Sequence, residues 1–145
     1  MSARTVAEKF FGHMAAGEVD AILGMATPDA TVSLVPLNGH GAMADVGARY
    51  LRELARSFPD LVVRVRRLFV TAGNTAVAEI NIDGTQADDF LAVVNQDKHF
   101  DLEQAWMLTV TPDDRIGAVT AYWDQNQLYR RLGVKRLDTI TITAG

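Results

Sequence analysis

His13 and Asp124 are the two residues of this chain best suited to moving protons. A histidine titrates near neutrality, and a carboxylate drawn into a dry pocket rises toward it, so either can take a proton and return it. His13 follows Phe10 by three residues, which puts the two on one side of a helix. Gln104 and Trp106 are two residues apart, the spacing of one strand face. An indole N–H on an inner face can donate to a ligand oxygen while its ring stacks on a planar molecule. A buried Gln needs hydrogen bonds from a ligand, a water or the backbone. Tyr50 and Ser33 add hydroxyl donors. Each of these residues also has a structural use: His13 at the edge of a core, Asp124 as a helix cap, Trp106 as core filling, and Tyr50 and Ser33 in packing.

The elements that must position these side chains are legible from periodicity. Thr5-Val6-Ala7-Glu8 has capping-box spacing, and Val6, Phe10 and Met14 recur at helical intervals until Gly17. Val19, Ile22 and Leu23 give a second short helix, stopped by Thr27-Pro28-Asp29. Residues 30–35 read as a strand, 37–41 as a loop, and 42–58 as an amphipathic helix broken by Pro59. After that the pattern is of strands. Residues 61–70 change apolar parity near Arg66-Arg67, which predicts a bulge. Residues 76–83 alternate into an Asp83-Gly84-Thr85 turn, and 87–99 form a polar, irregular connection. A long strand over 100–111 then turns through Pro112 into a partner over 115–123. Asp124 caps a short helix that carries Arg130 and Arg131 in its last turn and ends at Gly133. The alternating run 139–143 predicts an edge strand or a frayed end.

Helices followed by a strand meander is the α+β order, and residues 1–145 read as one domain. A long bulged sheet curls around the early helices and leaves a cavity between them unless large side chains fill it. Asp101 and Glu103 alternate with the inner face, so they fall on a solvated rim with Lys98 and His99. Asp88-Asp89 and Asp113-Asp114 are turn residues, and His40 lies in a glycine-rich loop.

The composition excludes several classes. There is no Cys, so no disulfide or thiolate metal site, and the three His residues form no i, i+4 pair. Net charge is −4 with a basic face only at Arg64, Arg66 and Arg67, which argues against nucleic acid as partner. No apolar run is long enough to span a bilayer and no secretory leader is evident, so a cytoplasmic protein with no membrane partner is expected.

The run Trp123-Asp124 to Leu132-Gly133, Ser57-Phe58-Pro59-Asp60-Leu61 after the long helix, and Asp83-Gly84-Thr85 occur in an order that resembles SnoaL-like proteins of the nuclear-transport-factor-2-like superfamily. The resemblance covers nearly the whole chain. It implies a cone-shaped α+β fold, with a curved mixed or antiparallel sheet wrapped around the N-terminal helices. It further implies one apolar pocket for a small-molecule substrate, a homodimer, and no cofactor or metal. Members include polyketide cyclases, steroid isomerases, epoxide hydrolases, dehydratases and non-enzymatic binders. The resemblance places the cyclases' acid/base Asp at Ala121, their His at Trp106 and their neighbouring Gln at Gln104. It places the steroid isomerases' Tyr and Asp at Phe10 and Leu34, and the His that often follows the Gly-Thr turn at Gln86. The family's glycine-containing loop before the long strand is replaced by residues 92–97, which lack glycine.

The expectation is therefore a cofactor-independent cyclase, isomerase or dehydratase of secondary metabolism, acting on a bulky apolar, polyketide-like molecule. Phe10, Ser33, Tyr50, Gln104, Trp106, Ala121 and Trp123 would line its pocket, and His13 or Asp124 would transfer any proton. The alternatives are a binding protein that kept the pocket without the chemistry, and a dimerisation module whose pocket is filled.

Overall fold

A computed structural model describes residues 2–134. The first helix, α1 (Ala3–Ala16), begins three residues earlier than its capping-box spacing suggests. Ser2 is the cap, its hydroxyl accepting from the Thr5 N–H at 3.2 Å, so Thr5 lies within the first turn. Next come α2 (Val19–Met25) and β1 (Ala26–Leu34). Thr27-Pro28-Asp29 does not separate the two but lies inside the strand. The β1 register is interrupted between Ala26 and Thr31, where no ladder bond is asked of Pro28, which has no N–H to give. Residues 39–41, read above as loop, and Ala42, read as the start of the helix, form a short strand β2 (Gly39–Ala42) against β1. A single π-turn (Met43–Gly47) then leads into α3 (Ala48–Ser57).

The remaining strands are β3 (Val62–Val70), β4 (Thr75–Thr85), β5 (His99–Val110) and β6 (Ile116–Trp123). With β1 and β2 they form one curved, open six-stranded sheet of order β2-β1-β6-β5-β4-β3. β1 runs parallel to β6 and every other pair is antiparallel, so the sheet is mixed. The fold is the α+β arrangement expected, with α1 packed against β3, β4 and β5. The predicted bulge is present: the β3–β4 register shifts between Val65 and Arg67.

Asp83-Gly84-Thr85 is not a turn. β4 runs through it, Gly84 pairing with Phe100 and Thr85 with His99. The segment is nonetheless structurally special, because the motif at 57–61 docks on it. The Asp60 carboxylate accepts from the Thr85 N–H at 2.8 Å, and this bond holds the Asp60 pKa below the usual carboxylate range. A side chain at Gly84 would meet Phe58 Cβ and Asp60 Oδ1 at 3.2 Å, so the two motifs meet with little room for one unless their side chains shift.

The closing helix α4 (Gln125–Arg131) forms as expected. Asp124 Oδ1 accepts from the N–H groups of Asn126 (2.9 Å) and Gln127 (3.2 Å). At the other end Gly133, with φ 93°, donates to Arg130 and Val134 donates to Tyr129, a Schellman closure. The predicted strand at 139–143 lies outside the described residues. Among the described residues no helix is long and apolar enough to cross a membrane.

Asp124→Ala should remove both capping bonds and destabilise the protein by about 1 kcal/mol in urea unfolding, whereas Asp124→Asn, which still caps, should stay within a few tenths of wild type.

Candidate functional site

Cross-strand register decides which side chains share the sheet face that the helices cover. Leu34, Ala121, Trp106, Ala78 and Leu68 are successive partners across five strands, and this row faces inward. One step along, Trp123 pairs with Gln104 and Gln104 with Ile80. The opposite face carries His40, Ser33, Thr120, Met107, Val77 and Phe69.

The inner face is an aromatic assembly. Phe10 and Phe11 of α1 lie 5.7 and 6.2 Å from the Trp106 ring. Tyr50 of α3 lies 6.5 Å from Trp106 and stacks on Trp123 at 5.6 Å and 20°. Phe90 continues the series to Phe58 and Phe100. These side chains fill the space between helices and sheet: Phe10, Trp106 and Ala121 are 0, 1 and 0% exposed. Tyr50 and Gln104 retain 5% exposure each, and Trp123 at the edge of the group is only partly buried.

The polar pairing inside the assembly is directional. Trp106 Nε1 can only donate, and it does so to Gln104 Oε1 at 2.9 Å. The expectation that the indole N–H awaits a ligand is therefore corrected, since Gln104 already serves it. The Gln104 amide nitrogen is thereby turned away from the indole, toward the Tyr50 hydroxyl. Burial pushes the Tyr50 phenol far above its ordinary pKa, the Gln104 amide offsets part of that rise, and the Glu53 carboxylate adds to it. Tyr50 is thus held as a protonated donor. The Trp123 indole is occupied similarly, donating to Gln125 Oε1 at 2.7 Å.

The structure thus brings together Phe10, Tyr50, Gln104, Trp106, Ala121 and Trp123. It does not bring the other three to them. Ser33 belongs to the outer face. His13, at the end of α1 and 31% exposed, has Nδ1 3.0 Å from Glu18 Oε1. Asp124 is exposed and engaged in its cap. Asp101 and Glu103 point outward as expected, paired with Arg131 and Arg66.

Sequence reasoning missed the edge of this site. Glu53, one helical turn from Tyr50, accepts from the Leu91 N–H at 2.8 Å. That bond ties down a hairpin turn in which Phe90 and Val93 exchange bonds of 3.0 and 2.8 Å. Its central residues, Leu91 and Ala92, both have positive φ (49° and 67°), the pattern that Asn-Gly normally supplies. Neither is Asn or Gly, so no turn signal marks the place in the sequence, and the conformation costs about 1–2 kcal/mol per residue.

The chain matches the SnoaL-like domain over residues 7–119 and belongs to that family. No curated protein matches it by sequence. Among solved structures, a candidate SnoaL-like polyketide cyclase from Jannaschia sp. CCS1 superposes with a TM-score of 0.81 at 16% identity, covering 92% of each chain. AclR, a candidate hydroxylase from Streptomyces galilaeus, gives 0.79 at 14% identity, over 90% of this chain and 95% of its own. SalBIII, an epoxide hydrolase/cyclase-like enzyme of pyran ring formation in the polyether salinomycin, gives 0.72 at 16%, over 86% and 92%. At these identities the likeness is one of fold.

Two measurements check the polar arrangement. Gln104→Leu, which orphans the indole N–H, should cost about 1–3 kcal/mol in denaturant unfolding, and the Trp106→Phe/Gln104→Leu double variant should lose less than the two single variants summed. The raised Tyr50 pKa contributes stability that is complete below the unfolded-chain value of about 10 and is lost as pH rises beyond it. Tyr50→Phe should therefore move the alkaline unfolding midpoint to higher pH.

Proposed function

We propose that this SnoaL-like protein is a cofactor-independent cyclase- or isomerase-type enzyme that acts on a bulky, apolar, polyketide-like small molecule in a secondary-metabolite pathway. The observation that carries this reading is the Tyr50–Gln104 pair, two polar groups at the margin of an aromatic enclosure. The partly buried ring of Trp123, at the edge of this filled enclosure, would give a planar or folded apolar substrate its stacking surface. The Tyr50 O–H and the Gln104 amide would hold one of its oxygens. The family resemblance would put the acid/base pair of the cyclases at Ala121 and Trp106, which are direct cross-strand partners. Here a small side chain opposite a large one replaces two proton carriers, so the space goes to shape rather than to proton transfer. Catalysis would then consist mainly of holding the substrate in its reactive conformation.

The second reading is a small-molecule-binding protein of the same fold without turnover. It is favoured by the inward row Leu34, Ala121, Trp106, Ala78 and Leu68, none of which ionises, and by the placement of His13 and Asp124 outside the assembly. Under either reading the protein would work in the cytoplasm as a homodimer. The outer sheet face supports pairing, because Phe69, Met107 and Tyr122 remain 53, 38 and 45% exposed there.

The test is turnover of linear poly-β-ketone thioesters and their aldol-prone ketone analogues, followed by mass spectrometry. The enzymatic reading expects cyclised or isomerised product, loss of activity of about tenfold or more in Trp106→Ala, and near-normal rates in His13→Ala and Asp124→Asn. Saturable binding with no product favours the binder, and turnover indifferent to all three changes removes the site assignment. For the assembly, Met107→Asp with Tyr122→Asp should convert a dimer to a monomer in light scattering.

A further inference from the structure

The segment joining β4 to β5 holds two unfavourable features that its packing does not explain. Leu91 and Ala92 sit side by side at positive φ. Beneath them Gln86, 1% exposed, donates its amide to the carbonyls of Asp88 and Val93, both at 3.1 Å. Those two acceptors fix which way the amide faces, and they leave Gln86 Oε1 buried without a partner among the described residues. A closed conformation that contains strain and an orphaned acceptor is relieved by opening.

The base of the segment is well anchored. Ala87 N–H donates to Ser57 O at 2.8 Å, the Ser57 hydroxyl donates to Asp89 O at 2.8 Å, and Asn95 N–H donates to Asp89 Oδ1 at 2.9 Å. The tip is tied to α3 by the Leu91 N–H on Glu53. On its inner side Phe90 packs against Tyr50 (6.3 Å) and Phe58 (5.0 Å). On its outer side lies a cleft of about 320 Å³, lined by Leu91, Val93, Val94 and Gln96 and, from α4 and its end, Tyr129 and Val134.

We propose that residues 90–94 form a hinged cover over the Tyr50–Gln104 pair, latched by Glu53 and free to swing into the cleft beside α4 to admit an apolar ligand. The hinges are Asp89 and Asn95, where the anchored base meets the strained tip. Withdrawal of Phe90 uncovers one side of the Tyr50 ring. It also lets water reach Gln86 Oε1 and frees Leu91 and Ala92 from their left-handed conformations, so part of the cost of breaking the latch is returned. The exposed side chain of Val94 and the apolar wall of the cleft give an incoming ligand its first contact. The admission of ligand rests on the function proposed above, whereas the hinge itself does not.

The test combines amide hydrogen exchange with stopped-flow entry of Nile red, a neutral apolar dye, in the full chain. Leu91 and Val93 amides should exchange at least about tenfold faster than those of the β4–β5 ladder, through local opening. Ala92→Gly, which relieves the strain, should slow them about five- to tenfold. Glu53→Ala should speed them, with the ladder amides unchanged, and the Nile red entry rate should move the same way in each variant. Exchange of Leu91 and Val93 in step with the ladder in all three proteins, or unaltered by Ala92→Gly, overturns the cover. Nile red entry that is indifferent to both variants overturns the cover while leaving inner-face binding intact. Exchange in the expected order without dye binding supports the hinge and removes inner-face binding.

Discussion

Trp106 carries one hydrogen-bond donor and no acceptor, and much of the interior follows from burying it. The donor requires an acceptor at indole height on the same strand face, and Gln104, two residues back, supplies it. Once Gln104 Oε1 is committed, its amide nitrogen must face the other way, toward Tyr50. The indole ring also needs room across the strand gap, and Ala121 gives it by having almost no side chain. Phe10, Phe11 and Tyr50 close over the ring from the helices. A single residue choice on β5 thus determines a neighbour on β6, a partner on its own strand and the orientation of a hydroxyl on α3.

Trp106 and Ala121 are direct cross-strand partners, so the two positions are coupled by size. The polar groups of the inner face lie at Tyr50, whose phenol burial pushes well above its ordinary pKa, and at Gln104, whose amide oxygen accepts from Trp106.

Much of the fold was legible because its signals are periodic. The bulge at Arg66 showed as a parity change, and α4 showed through its cap and its glycine. The inward pairing of Gln104 and Trp106 followed from strand alternation. What escaped was set by contacts remote in sequence. Ser2 and Thr5 offer rival caps, and local spacing alone favoured the wrong one. Pro28 reads as a breaker unless it is known that the partner strand asks no bond of it. Asp83-Gly84-Thr85 has turn composition, but its glycine is there for the approach of Phe58 and Asp60. The turn at Leu91-Ala92 has no turn residues at all and is held by Glu53, nearly forty positions earlier. Of the site, the inner-face members were readable from alternation and helical spacing. Ser33 was not, since which face of β1 is covered depends on its pairing with β6.

We propose that the margin of the Trp106 assembly, rather than a surface cleft, holds a small apolar molecule. The chain has only two tryptophans, so their indole N–H resonances report on that margin with little ambiguity. Titration of the ¹⁵N-labelled protein with a planar aromatic ketone should move the Trp106 and Trp123 indole signals together and saturably. Unmoved indoles, with changes confined to backbone amides of the cleft between α1 and β3 around Arg66 and Arg67, would contradict it.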